Sequence, residues 1–393
     1  MDKKSTQIVN QFYNTDDVSM NDFLKCFVTK GSLEDYPAAQ SIEKEVVIYD
    51  QGTITNVFNS GEPALKLKSE LNHCLSKGSG VFVIQGAFEN THIIDKANIV
   101  FKEIIKEEKE ESKGQGDHFA KPGANERIWN SFQKMFEKDA ATSIEYFANP
   151  ILTFVSEAWL GLGFQMTAQV NIVKPDGAPQ NAHRDYHFGF QSPEIVSKYP
   201  YNLHLMSQYM TLQGAIAHTD MPLESGPTRL LPHSQKYDLG YLAAGNQKII
   251  EYFNQNHVSL PLKKGDAIFF NPAMFHAAGQ NKSANDRSAN LLQVSVSFGK
   301  AMESVDRGKI AELSYQEILS KTKANTLTKE ELYSVIACIA DGYSFPTNLD
   351  TDPPLGHAAP ETMQAYFHRA IQEGEKFEEF VRTLSTMVHR RKS

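Results

Sequence analysis

The chain has 393 residues, 41% of them hydrophobic and 22% charged, which supports one large core or two modest ones and excludes disorder throughout. Lys and Arg number 39 against 47 Asp and Glu, a formal charge of -8. That balance argues against a nucleic-acid surface, which needs clustered positive charge.

In chain order, residues 1–149 read as mostly helical, with Ile94, Ala97, Phe101 and Ile104 spaced by three and four so that one stripe packs inward. The run Glu107 to Glu111 is the solvated end of that helix. Within this zone Val81-Phe82-Val83-Ile84 is a short apolar strand, introduced by Gly78-Ser79-Gly80 and closed by Gly86. The stretch from Asp117 to Trp129 mixes charge, Gly and aromatic residues, as a substrate-covering loop or a plain linker would.

From 150 to 300 short β segments alternate with Gly, Pro and Asn. Gln165 to Val173 alternates polar and apolar residues, as a strand with one face on a polar cavity does; Ala267-Ile268-Phe269-Phe270 follows the turn Lys263-Lys264-Gly265-Asp266, and Leu291 to Phe298 alternates again. This spacing predicts a mainly β core built as a sandwich or jelly roll. From 301 to 393 the helical period returns in Met363, Phe367, Ala370 and Ile371, then in Phe377, Phe380, Val381 and Leu384. These helices are expected either to form a homodimer interface or to pack back on the core.

The cysteines, Cys26, Cys74 and Cys338, are odd in number, far apart and lack C-x-x-C spacing, so neither a disulfide framework nor a thiolate zinc site is indicated. The N-terminus has no apolar signal-peptide region, and no apolar run approaches the roughly 20 residues of a membrane span. The expectation is a cytoplasmic protein without nucleic-acid or membrane partners. The basic tail His389-Arg390-Arg391-Lys392 is read as a solvated end.

The chemistry lies in His183-Arg184-Asp185, answered downstream by His276 and Arg287. Strand side chains alternate, so His183 and Asp185 reach the same side, and two imidazoles with one carboxylate can hold Fe(II) on one octahedral face while three positions stay open. A hairpin closed near residues 281 and 282 would set Arg287 across from His276, where its guanidinium could clamp a carboxylate. A second triplet, His218-Thr219-Asp220, competes. Asp185 precedes His276 by 91 residues and Asp220 by 56, so the first triplet leaves more chain for the strands between ligands and is preferred. His218 and Asp220 are then a hydrogen-bonded pair fixing the following loop. Tyr186, Phe188 and Phe190 alternate beyond Asp185 as pocket walls or simple packing, and His187 is read as an exposed neighbour.

His183-Arg184-Asp185, the stretch from His218 to Gln235, the Lys264-Gly265-Asp266 turn, and His276-Ala277-Ala278-Gly279-Gln280-Asn281 through Arg287 together resemble the phytanoyl-CoA dioxygenase family over about residues 65–300. The resemblance implies a double-stranded β-helix of cupin-like form flanked by N- and C-terminal helices. It also implies Fe(II) held by His183, Asp185 and His276, with 2-oxoglutarate and dioxygen as cosubstrates and Arg287 on the cosubstrate carboxylate. Asp185 favours hydroxylation, because halogenases of similar fold carry a small residue there. Two positions depart from the family pattern. Its P-G-S-H loop is here Pro232-His233-Ser234-Gln235, and Ala278 lacks the hydroxyl that some members offer 2-oxoglutarate, so Gln169, Asn171 or Gln213 are expected to help Arg287. The substrate is expected to be a small organic metabolite. The other readings are a non-catalytic cupin-like binding protein and a hydrolytic metalloenzyme; only the oxygenase needs Arg287.

Overall fold

Alternation along the central strands gives the middle of the molecule one apolar face and one mixed face. The computed structural model of the chain describes residues 10–112, 125–356 and 358–392. Its strands are β1 (Ser41–Glu43), β2 (Val46–Asp50), β3 (Val81–Gln85), β4 (Asn125–Ile128), β5 (Gln165–Val173), β6 (Thr211–Ala217), β7 (Arg229–Leu230), β8 (Ala267–Phe270), β9 (His276–Ala277) and β10 (Arg287–Ser295). Eight of them form one sheet in the order β1-β2-β3-β8-β6-β10-β5-β4, antiparallel except for β2 with β3. β7 and β9 form a second small sheet, and the bridges His183 to His276 and Leu230 to Val258 widen it.

On β10, Ala289, Leu291 and Gln293 stand opposite Ala217, Ala215 and Gln213 of β6, while Asn171 and Gln169 of β5 face Ala289 and Leu291 from the other side. This row lines a cavity of about 890 Å³ whose opposite wall includes His183, His276, Leu260 and Leu262. The intervening residues Leu292, Val294, Met166, Ala168, Val170, Leu212 and Ile216 are buried in an apolar cluster with the helices. Each of the larger side chains among them contributes about 1.5–3 kcal/mol by burial.

Helices cover that outer face. Glu62–Ser76, His92–Ser112, Ser131–Lys138, Ala140–Phe147 and Pro150–Leu160 precede β5, and Arg307–Lys323, Lys329–Ile339, Met363–Glu373 and Phe377–Arg390 follow β10. Ile310, Ile318, Val335, Ile336, Phe367 and Phe380 of the later group join the same cluster, so these helices pack back on the sheet. Arg307 ties them to it by donating to the carbonyls of Cys338 and Met166 at 2.6 and 2.7 Å. The starts of these helices follow local chemistry: Asp139 caps Ala140–Phe147, and Thr328 with Glu331 forms a reciprocal capping box for Lys329–Ile339.

Three expectations need correction or placement. The sheet is not confined to 150–300, because β1 to β4 belong to it, and residues Pro150–Leu160, assigned above to the β core, are helical. Asn149 capping and Pro150 in the first turn are a helix start that the neighbouring strand pattern obscured. Of the loop from Asp117 to Trp129, residues 117–124 lie outside the described residues, and Asn125–Ile128 is the edge strand β4. Among the described residues no helix is long and apolar enough to cross a membrane.

Candidate metal centre

Extended backbone around Asn181 to Asp185 crosses β9, with the His183 and His276 amides each donating to the other's carbonyl at 3.0 and 3.1 Å. The amide of Asp185 donates to the Pro272 carbonyl at 3.0 Å. Alternation then sends Arg184 away from the cavity centre. Its fully buried guanidinium donates to the Ser234 and Tyr237 carbonyls, near the rings of Tyr241 and Phe275. His183 and Asp185 turn instead toward His276. Just beyond, Tyr186 and His187 take φ of 66° and 44°, a conformation non-glycine residues seldom adopt and one often found beside functional groups.

One ligand atom from each of His183, Asp185 and His276 lies within 4.8 Å of the others. Nε2 of His276 is 3.2 Å from Asp185 Oδ2, and Nε2 of His183 is 3.5 Å from Oδ1. Each imidazole Nδ1 meets a backbone carbonyl two residues earlier, Asn181 at 2.8 Å and Met274 at 2.9 Å. A carbonyl only accepts, so Nδ1 carries the proton and Nε2 presents its lone pair to the carboxylate. Two lone pairs and a carboxylate aimed at one another are a set that a cation resolves. Bonds of about 2.0–2.2 Å to one ion would draw these atoms closer together.

The electrostatics have the sign ligation needs. Burial, then the neighbouring His276, lowers the proton affinity of His183. Burial pushes the Asp185 carboxyl up, but contact with His276, the neighbouring His183 and the hydrogen bond donated by Gln213 together hold it well below the usual range. Neutral imidazoles and an ionised carboxylate are the forms that bind metal.

The remaining candidates occupy the facing sheet. Arg287 is buried in the cavity wall, its Nη1 donating to the carbonyls of Ser225 and Gly279 at 2.9 and 3.2 Å. It is not the cross-strand partner of His276. His276 pairs with Leu230, and Arg287 pairs with Val173. The turn does fall near Asn281, which is tied to the Lys174–Gly177 turn, but its two arms enter different sheets. Gln213 donates to Asp185 Oδ2 at 2.7 Å. Gln169 accepts from Arg127 at 3.2 Å and donates to Gln293 and Glu303 at 3.3 Å each. Asn171 faces the cavity with Oδ1 unpartnered.

His218 is elsewhere. It is buried between Tyr146 and Asn98, each 2.7 Å from one of its ring nitrogens, and Asp220 accepts from the Lys264 amide at 2.9 Å. Phe190 lines the cavity, whereas Phe188 packs on Tyr199 and Tyr241. His187 is half-buried, 3.4 Å from Ser207, rather than exposed. His233, where the family pattern has glycine, keeps the left-handed backbone with φ 74° and is held by Glu45 at 3.0 Å. Arg127 and Trp129, in the stretch read as a substrate-covering loop or a linker, line the cavity, as does Gln293, which was not singled out; β4 was hidden because only Ile128 of its four residues is apolar.

The sequence profile of the phytanoyl-CoA dioxygenase (PhyH) family matches residues 77–289, more than half of the chain. The chain belongs to that family. The resemblance drawn from the motifs is thereby borne out. The "Uncharacterized protein YJR154W" of Saccharomyces cerevisiae is 31% identical over 93 residues, 24% of this chain and 25% of that protein, so the chain spans about a quarter of the curated relative it matches. Among solved structures, the non-heme alpha ketoglutarate dependent epimerase SnoN from nogalamycin biosynthesis is 15% identical, covering 60% of this chain and 83% of its own at a TM-score of 0.38. The carbocyclase SnoK from the same biosynthesis is 17% identical, covering 65% and 91% at 0.41. HygX from Streptomyces hygroscopicus, with nickel and 2-oxoglutarate bound, is 12% identical, covering 60% and 90% at 0.39.

Proposed function

We propose that this protein is an Fe(II)- and 2-oxoglutarate-dependent dioxygenase that hydroxylates a small organic metabolite, and that its two sheets form the double-stranded β-helix of such enzymes. The observation that carries the reading is the convergence of His183, Asp185 and His276 in one cavity that also holds the buried cation of Arg287. Membership of the phytanoyl-CoA dioxygenase family supports it. A hydrolytic metal site does not require the arginine.

In this reading His183, Asp185 and His276 hold iron. Bound there with 2-oxoglutarate and dioxygen, the metal would supply oxidation of the keto acid to succinate and CO2, coupled to hydroxylation of a C–H bond. The protein's part is binding and exclusion of water. Arg287, with Nη1 occupied by two carbonyls, offers its other donors to the distal carboxylate of the diacid. Asn171 lies next to Arg287 along the same face and is the expected amide helper, since Gln169 and Gln213 are engaged with protein groups. Ala215, Ala217, Ile268, Phe270 and Leu291 keep the intervening wall dry.

The test is anaerobic addition of Fe(II) and then 2-oxoglutarate, followed by air. The expected result is a weak visible charge-transfer band for the chelate and succinate on oxygenation. Metal binding without that band would leave a non-catalytic cupin-like protein.

A further inference from the structure

Each proposed ligand is held by a hydrogen bond at an atom near the metal position, but the three restraints differ in origin. The imidazoles of His183 and His276 are fixed through Nδ1 by the carbonyls of Asn181 and Met274, backbone groups of their own strand segments. No substitution deletes those acceptors. Asp185 is held by a side chain from the opposite wall, the Gln213 amide donating to Oδ2 at 2.7 Å.

We infer that Gln213 is a positioning residue for the metal, orienting the Asp185 carboxylate toward the two imidazoles. This rests on the metal-centre reading above. Gln213 stands on β6 between Gln293 of β10 and Phe270 of β8, so neighbours on both sides fix where its side chain emerges. An ionised carboxylate can only accept, which obliges the amide to turn its NH2 toward Asp185. That orientation leaves Gln213 Oε1 buried with no partner. For folding alone this is a poor arrangement, because a buried acceptor without a donor costs stability that an apolar side chain would not. What the arrangement does accomplish is to hold the carboxylate, which otherwise could rotate away from the ion. Partners of this kind outside the ligand set typically change metal affinity by about 10–100-fold.

The experiment uses Co(II) alone as the probe, titrated by calorimetry into the full chain, with wild type compared to Gln213→Leu, Gln213→Met and Gln293→Leu. Gln293 is the cross-strand neighbour of Gln213 and has no bond to Asp185, so its variant removes a similar amide from the same wall. Both Gln213 variants are expected to bind Co(II) about 10–100-fold more weakly, with metal-free melting temperatures close to wild type because relief of the buried Oε1 offsets loss of the bond to Asp185, and Gln293→Leu to stay within about twofold. Stability retained while metal affinity falls is the signature that a purely structural role would not produce. Unchanged Co(II) affinity in folded Gln213→Leu or Gln213→Met, or an equal loss in Gln293→Leu, would overturn the inference. Failure of the wild-type protein to bind Co(II) would instead overturn the metal-centre reading.

Discussion

Replacing Arg287 by Met tests whether this buried cation exists for a diacid or for the fold. Burial alone pulls its guanidinium down to about 10, and no carboxylate contributes to that shift. Against an ordinary value near 12.5, and at about 1.4 kcal/mol per pH unit, holding the charge in place costs about 3 kcal/mol. The bonds to the Ser225 and Gly279 carbonyls return part of this. Arg287→Met should therefore change the stability of the metal-free protein by no more than about 1–2 kcal/mol. The cosubstrate carboxylate, by contrast, would be left buried without its cation, a loss of about 3–4 kcal/mol and hence a rise of about 10²–10³-fold in the 2-oxoglutarate dissociation constant. Metal affinity should be unchanged. The assays are anaerobic titration of the Fe(II) protein with 2-oxoglutarate through the charge-transfer band and thermal unfolding without metal. A variant that unfolds far more easily yet binds 2-oxoglutarate as before would refute the reasoning and make Arg287 a strut between loops.

The choice between the two triplets is checked by metal titration: Asp185→Ala should lose at least about 100-fold in Fe(II) or Co(II) affinity, and His218→Gln should lose none. His218 also sets an acid limit. Burial, then the charge of Lys264, pushes its imidazole down to about 3, so the folded form takes up a proton less readily than the unfolded chain. Its contribution is intact above about pH 6.5 and declines as pH falls toward 3, reaching a loss of about 2 kcal/mol near pH 5. Urea midpoints at about pH 7.5 and 5 should differ in wild type and differ less in His218→Gln; an unchanged difference in the variant would show that His218 is not held neutral. Gly240→Ala would set a Cβ 1.7 Å from Cζ of Arg184, displacing that guanidinium at a cost of about 2–4 kcal/mol in stability. A wild-type melting temperature for this variant would mean that Arg184 has a second place to go.

How far the fold could be read from sequence depended on the length and apolar content of each local pattern. β5 spans Gln165–Val173 and β8 spans Ala267–Phe270, the segments expected, because both present an uninterrupted pattern between turn-forming residues. The helices at Met363–Glu373 and Phe377–Arg390 were equally visible in their spacing. β7 and β9 have two residues each, too few for any period, and β4 has one apolar residue in four, which hid it as a strand. β1 and β2 were missed because β1 has only three residues and β2 joins β3 across the helix Glu62–Ser76. Such an association depends on packing rather than local pattern.

The candidate ligands were legible for a related reason. His183 and Asp185 share a side through a two-residue step that local backbone geometry determines, while the link from Asp185 to His276 spans 91 residues and had to be inferred from motif order. The placement of Arg287 shows where that inference fails: the turn near Asn281 was located correctly, but its arms belong to opposite walls. Arg287 therefore approaches the cavity from the sheet that carries Gln213, while all three candidate ligands approach from the other side. The separation of the two walls is then a variable of the site. The helices packed behind Met166, Leu212 and Val294 back the larger wall, so a cavity-forming substitution there should disturb metal and diacid binding together. Arg287→Met would affect the diacid alone, which makes the two kinds of damage separable by titrating each component.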